Sequence, residues 1–185
     1  MIYIIEHLDD EVYEWSLLEY RHISKVVGKE NLWFTHVKDG PDAMKLRPLG
    51  KVFKESVLSM NLQKACLLDP AAKNLLVPGD TKHFDHMVFG GILGDNPPRG
   101  RTKELQAIKD SRNLGAEQMS TNTAVYVTKK IVEGTPFEKI DFVDTLIIPT
   151  DEGEEVELPY RYVFENGEPV LPEGLIEKLK NDEDF

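Results

Sequence analysis

Phe89-Gly90-Gly91-Ile92-Leu93-Gly94-Asp95-Asn96-Pro97-Pro98-Arg99-Gly100-Arg101-Thr102 is the stretch whose reading decides the fold. Four glycines and two prolines fall between residues 86–89, which read as a strand, and residues 103–110, which read as a short helix. Glycine lets the backbone approach a ligand closely and adopt positive φ. A loop with so many special residues is uncommon without a ligand, although a structural turn stays open. Two phosphate loops do not fit. A G-x-G-x-x-G fingerprint follows the first strand, whereas this loop comes late and with other spacing. A P-loop needs G-x-x-x-x-G-K-[ST]; here the interval from Gly94 to Gly100 is one residue too long, and Arg101 stands where lysine belongs.

Outward from the loop, strands and helices alternate. Residues 2–8 are apolar and β-branched, the pattern of a buried strand. Asp9-Asp10-Glu11 suit a helix start, and the helix runs to residue 27, where Gly28 stops it. Residues 31–37 read as a second strand, and Asp39-Gly40-Pro41 as a turn. Leu49, Val52, Phe53, Ser56, Val57 and Met60 have the spacing of a core-facing helix. Residues 64–68 are a strand ended by Asp69-Pro70. A helix over 120–133 follows the short helix and is stopped by Gly134 and Pro136. Residues 144–149 and 155–165 are strand-like, Asn166-Gly167 is a turn, and residues 172–180 form a last helix. This order predicts an α/β fold with a mostly parallel sheet flanked by helices. Ligands in such sheets bind beyond the carboxyl ends of the strands, which points to Glu6, His7, Asp69 and the long loop.

Composition narrows the class. A length of 185 residues predicts a single domain, with an acidic strand-and-helix extension at about 151–185. Cys66 is the only cysteine, so no internal disulfide forms, which fits a reducing, cytoplasmic location. No apolar run is long enough for a bilayer, and no membrane partner is expected. The net charge is −11, of which residues 151–185 carry −9. A non-specific nucleic-acid binder is usually basic, and an acidic region attracts cations instead.

A second segment, Arg112-Asn113-Leu114-Gly115-Ala116-Glu117-Gln118-Met119-Ser120-Thr121-Asn122-Thr123-Ala124, ends in a helix start that Ser120 or Thr121 can cap. Together with the glycine loop it resembles the cofactor region of the SPOUT methyltransferases. More narrowly, the chain is similar to a small archaeal and eukaryotic family that includes a yeast enzyme methylating an arginine of a small-subunit ribosomal protein. Tyr3-Ile4-Ile5-Glu6-His7, Glu19-Tyr20-Arg21-His22 and Leu158-Pro159-Tyr160-Arg161-Tyr162 complete the match, which covers nearly the whole chain. The resemblance implies a C-terminal trefoil knot, a rare exception to unknotted connections. It also implies S-adenosyl-L-methionine as cofactor. Phe89, Gly90, Gly91, Leu93, Gly94, Asn113, Leu114, Gly115, Met119, Ser120 and Thr123 are the expected cofactor-binding residues.

Methyl transfer from a sulfonium needs positioning and shielding. An arginine substrate also needs a carboxylate, which matches the guanidinium fork and takes its proton. On a helical wheel over 10–27, Glu19 lies amid Val12, Trp15, Ile23, Val26 and Val27. A carboxylate on that apolar face either pairs with a base or faces a site. Glu19, Asp95 and Glu6 are therefore the candidate catalytic residues, with an Asx turn as the other role for Asp95. His83 and His86 lack further ligands for a metal, so no metal is expected. Arg21 falls on the polar side of the wheel. Arg99, Arg101, Lys103 and Arg112 could meet RNA phosphate. Three functions compete: an enzyme methylating a ribosomal-protein arginine, an RNA methyltransferase acting on rRNA or tRNA, and a non-catalytic ribosome-assembly factor. Monomer and homodimer both remain open.

Overall fold

The computed structural model describes residues 1–91, 101–149 and 155–181. Its centre is β1 (Ile2–His7), buried along nearly its whole length. A continuous apolar run buried on both faces is what a central parallel strand requires. The chain moves outward from β1 to β2 (Leu32–Thr35) and β3 (Lys51–Val52). It then crosses to the other side for β4 (Ala65–Leu68), β5 (His86–Gly91) and β6 (Asp110–Arg112). The resulting order is β3-β2-β1-β5-β4-β6, with every pairing parallel. The order reverses between β1 and β5, where Glu6 lies opposite Gly90 and His7 opposite Gly91. A crevice at that reversal is the usual ligand position in this architecture.

Three helices pack into the main core beside the sheet. The first, α1 (Glu14–Val27), ends at Gly28 with φ 81° and buries Ser16, Glu19, Tyr20, Ile23 and Val27. It starts later than its acidic prelude suggests. The Val12 N–H donates to Asp42 Oδ2 at 3.1 Å, and Lys45 Nζ donates to the Val12 carbonyl at 3.0 Å. Both partners sit on α2 (Pro41–Leu46), a helix begun by a proline where the sequence shows only a turn. The expected helix over 49–60 does not form. The segment gives β3 and a single 3₁₀ turn at Val57–Ser59 instead. The reason is tertiary: the Ser56 hydroxyl and the Val57 N–H donate to the carboxylate of Glu6. That anchor holds the chain extended. Residues 101–105 likewise form a 3₁₀ turn, and the chain is already in β6 by residue 110.

The next helix, α3 (Thr121–Val132), packs against α1. An antiparallel sheet then forms from β7 (Phe142–Pro149), β8 (Glu155–Glu165) and β9 (Glu168–Pro169). Asn166 and Gly167, at φ 55° and 87°, make the two-residue turn expected there. The final helix is α4 (Leu175–Asn181). This unit docks on α1: Trp15 packs against the cluster of Ile148, Leu158, Tyr162, Leu175 and Leu179. Within the acidic stretch, residues 155–181 supply β8, β9 and α4, whereas β7, the partner of β8, precedes it. Among the described residues, no helix is long and apolar enough to cross a membrane.

Candidate active site

The carboxyl ends of β1 and β5, the start of α3 and the middle of α1 converge. Glu19 is 8% exposed at that convergence. Burial pushes its carboxyl up to about 7, while the backbone N–H of Asn122 and the side chain of Trp15 donate to it and hold it back. Asn122 lies in the first turn of α3, so the helix dipole also favours the anion. Burial, and after it the Glu19 charge, raises the hydroxyls of Tyr20 on α1 and Tyr162 on β8 above the usual range. Among the described residues no lysine or arginine forms an ion pair with Glu19.

The first turn of α3 carries a buried polar cluster. The Ser120 hydroxyl donates to Asn122 Oδ1 at 2.7 Å and shares a hydrogen bond with Thr123 Oγ1 at 3.0 Å. Ser120 thus serves this cluster and does not cap the helix as its type suggested. Met119 just before it is half-buried and bridges to Arg161 of β8. Such a cluster at a helix start, with backbone N–H groups left over from the first turn, fits the acceptor-rich adenosyl and methionyl ends of S-adenosylmethionine.

The other expected cofactor residues divide by what their side chains already do. Phe89 and Leu114 give their side chains to the main core, which leaves only their backbone for a ligand. Asn113 Nδ2 donates to the Ala72 carbonyl at 2.8 Å, and its Oδ1 accepts from the Gly115 N–H at 3.0 Å. Gly115 has φ 90°, which the turn after β6 requires. The Gly90 carbonyl near the end of β5 accepts from the Thr121 hydroxyl at 3.5 Å. Gly91 is needed for space. A Cβ on Gly91 would stand 2.5 Å from Ile5 Cγ2 and 2.6 Å from the Tyr20 hydroxyl. Leu93, Gly94, Asp95 and Arg99 lie outside the described residues.

Glu6 is not at an open site. It is 2% exposed, and its oxygens accept from the Thr35 and Ser56 hydroxyls and from the Val57 N–H at 2.9 Å. Its expected catalytic role gives way to bracing β1 against β2 and the turn after β3. Arg112 is likewise not free for phosphate. It donates to Asp80 through Nε at 3.0 Å and Nη2 at 2.8 Å, with its guanidinium over the Phe84 ring. Cys66 is buried in β4, where burial pushes its thiol up to about 12. Sequence reasoning missed Asn122. The available signal was a polar run, Ser120 to Thr123, entering a helix whose first residues turn inward.

The SFM1-like protein arginine N-methyltransferase family matches residues 2–185. The chain belongs to that family. Protein arginine N-methyltransferase SFM1 of Saccharomyces cerevisiae is 40% identical over 204 aligned positions, which span 98% of this chain and 95% of that protein. The crystal structure of yeast SFM1 complexed with SAH superposes with a TM-score of 0.89 at 38% identity, covering 97% of this chain and 94% of that one. The complex with SAM gives 0.88 at 38% identity, covering 97% and 89%. The dual-specific Trm10 of Thermococcus kodakaraensis gives 0.56 at 15% identity over 75% of this chain and 96% of that one, a likeness of fold alone. The six-stranded parallel sheet of this SFM1-like chain is thus the SPOUT sheet its sequence resembles.

Proposed function

We propose that this chain methylates an arginine of a ribosomal protein, using S-adenosylmethionine, with Glu19 as the group that takes the proton. The observation that carries the reading is a buried carboxylate with no cationic partner among the described residues. It is tuned to about 7 and accepts a hydrogen bond from the first turn of α3, whose Thr121 hydroxyl donates to the Gly90 carbonyl of β5. A group that titrates near neutral pH is suited to general-base work.

When bound, the cofactor supplies a methyl group on a positively charged sulfur. The Ser120–Asn122–Thr123 turn and the backbone after β6 would hold it. Glu19 would orient the substrate guanidinium through paired hydrogen bonds. As the guanidinium nitrogen bonds to the methyl carbon, the carbon–sulfur bond breaks and its electrons go to sulfur. The nitrogen then carries one proton too many, and Glu19 accepts it. The product is methylarginine, with a protonated Glu19 that releases its proton to solvent. Burial assists this last balance, because it stabilises the neutral carboxyl left after transfer. The acidic C-terminal unit favours a cationic substrate. A trefoil knot, a reducing cytoplasmic location and a single domain over residues 1–185 belong to the same reading.

The test is methyl transfer from labelled S-adenosylmethionine to ribosomes from cells lacking this protein, followed by separate protease and nuclease digestion. Label released by protease and recovered as methylarginine is the expected result. Label released by nuclease alone would move the assignment to RNA. No label on ribosomes or their free proteins, with cofactor binding intact, would favour an assembly factor.

A further inference from the structure

His22 is absent from the mechanism above, yet it is tied to Glu19 and to the Ser120 turn through one residue. The Asn122 backbone N–H donates to Glu19. The Asn122 side chain bonds the Ser120 hydroxyl at 2.7 Å through Oδ1 and His22 Nδ1 at 3.1 Å through Nδ2. Two of these three bonds join α1 to α3 at points one helical turn apart, since Glu19 and His22 lie on adjacent turns of α1. The amide is thereby held from both ends, and with it the direction of its backbone N–H. The His22 ring is itself fixed. It stacks on Tyr126 with centroids 6.2 Å apart at 21°, and the Tyr126 hydroxyl donates to Glu165 Oε2 at 2.7 Å. Glu165 is paired with Lys130, so the chain of contacts runs on into β8.

We infer that His22, acting through Asn122, is a positioning residue that holds the Glu19 carboxylate and the Ser120 turn as one unit. The inference rests on the assignment of Glu19 as base, but its structural content does not depend on turnover. His22 accepts the Asn122 N–H₂ only while Nδ1 is unprotonated. Burial and the nearby Lys25 lower the His22 pKa, so the accepting form prevails at neutral pH. Groups facing the unit are Trp15 and Tyr20 from α1, Tyr162 from β8, and Lys25 and Tyr126 around His22. The sequence there reads Glu19-Tyr20-Arg21-His22, and the geometry gives its first and last members a shared task. Arg21 between them is exposed.

The test compares His22→Phe, which keeps a ring over Tyr126 but loses the acceptor, with His22→Gln, which restores one. The Glu19 carboxyl carbon is followed by NMR across pH, alongside kcat and the KM for S-adenosylmethionine. Losing the acceptor loosens the Asn122 N–H, so Glu19 should titrate at higher pH in His22→Phe. The rate at pH 7 should then fall roughly three- to tenfold and recover near pH 9, as expected for a displaced general base. His22→Gln should lie close to the parent. A folded His22→Phe in which Glu19 titrates as in the parent would overturn the inference. If His22→Phe does not fold, the parent decides: the Glu19 carbon must register the protonation of His22, and a flat response there also overturns it. Absence of methyl transfer in the parent would remove the proposed function and leave the NMR comparison intact.

Discussion

At the residue scale, Glu19 and Glu6 are two buried carboxylates with opposite tasks, and their surroundings separate them. Glu6 accepts three hydrogen bonds from within the fold, whereas Glu19 accepts from one backbone N–H and one side chain. Glu6→Ala strands the hydroxyls of Thr35 and Ser56 and the Val57 N–H, and should cost about 3 kcal/mol in urea denaturation. Glu19→Gln should do the reverse at alkaline pH. Because the folded pKa is raised from 4.5 to about 7, the stability tied to the neutral form is complete below about 4.5 and is lost as pH rises to about 7. The glutamine variant does not lose it. It should therefore be about 3 kcal/mol more stable than the parent at pH 8, with the gap closing below pH about 5. A gap that is constant with pH would contradict the titration. Glu19 was legible in the sequence because one charge amid five apolar wheel positions is a sharp signal. Glu6 was not, because its donors come from residues 29 to 51 positions away.

Among elements, β5 and α1 meet too closely for any residue but glycine at position 91. Gly91→Ala should destabilise by about 2 kcal/mol through contact with Ile5 and the Tyr20 hydroxyl. Removing that hydroxyl with Tyr20→Phe should return part of the loss, so a double-mutant cycle should show favourable coupling. Strict additivity would mean that the strain is taken up elsewhere. The alternation of strands and helices, the turn at Asn166-Gly167 and the stop at Gly28 were all readable, because each rests on local preference. The apolar spacing over 49–60 misled because two short elements can mimic one helix. The bonds from Ser56 and Val57 to Glu6 override the local pattern. Helix α2 escaped notice for the converse reason: at Pro41–Leu46 it is too short to show a period.

For the whole molecule, the antiparallel unit after residue 141 completes the face of α1 that holds Glu19. Trp15 donates to Glu19 and also packs on the cluster of Leu158, Tyr162 and Leu175. A chain truncated after residue 141 should lose cooperative unfolding or melt at least about 10 °C lower, which calorimetry would show. The exposed pairs Lys25–Glu173 and Lys178–Glu14 contribute little to that docking, so raising salt should leave the melting temperature nearly unchanged. Charge asymmetry, readable from the sequence, bears on the partner and not on the fold. The locking of Arg112 by Asp80 was invisible there because residues 80 and 112 meet only once the sheet has formed.

The most direct test of the account is single-turnover methyl transfer by Glu19→Gln, compared with the parent at pH 8 on the same ribosomal-protein substrate and at saturating S-adenosylmethionine. The account predicts a loss of about 10²- to 10⁴-fold in rate with cofactor affinity unchanged. A rate within about twofold of the parent would show that Glu19 does not take the proton, and the mechanism proposed for this site would fall.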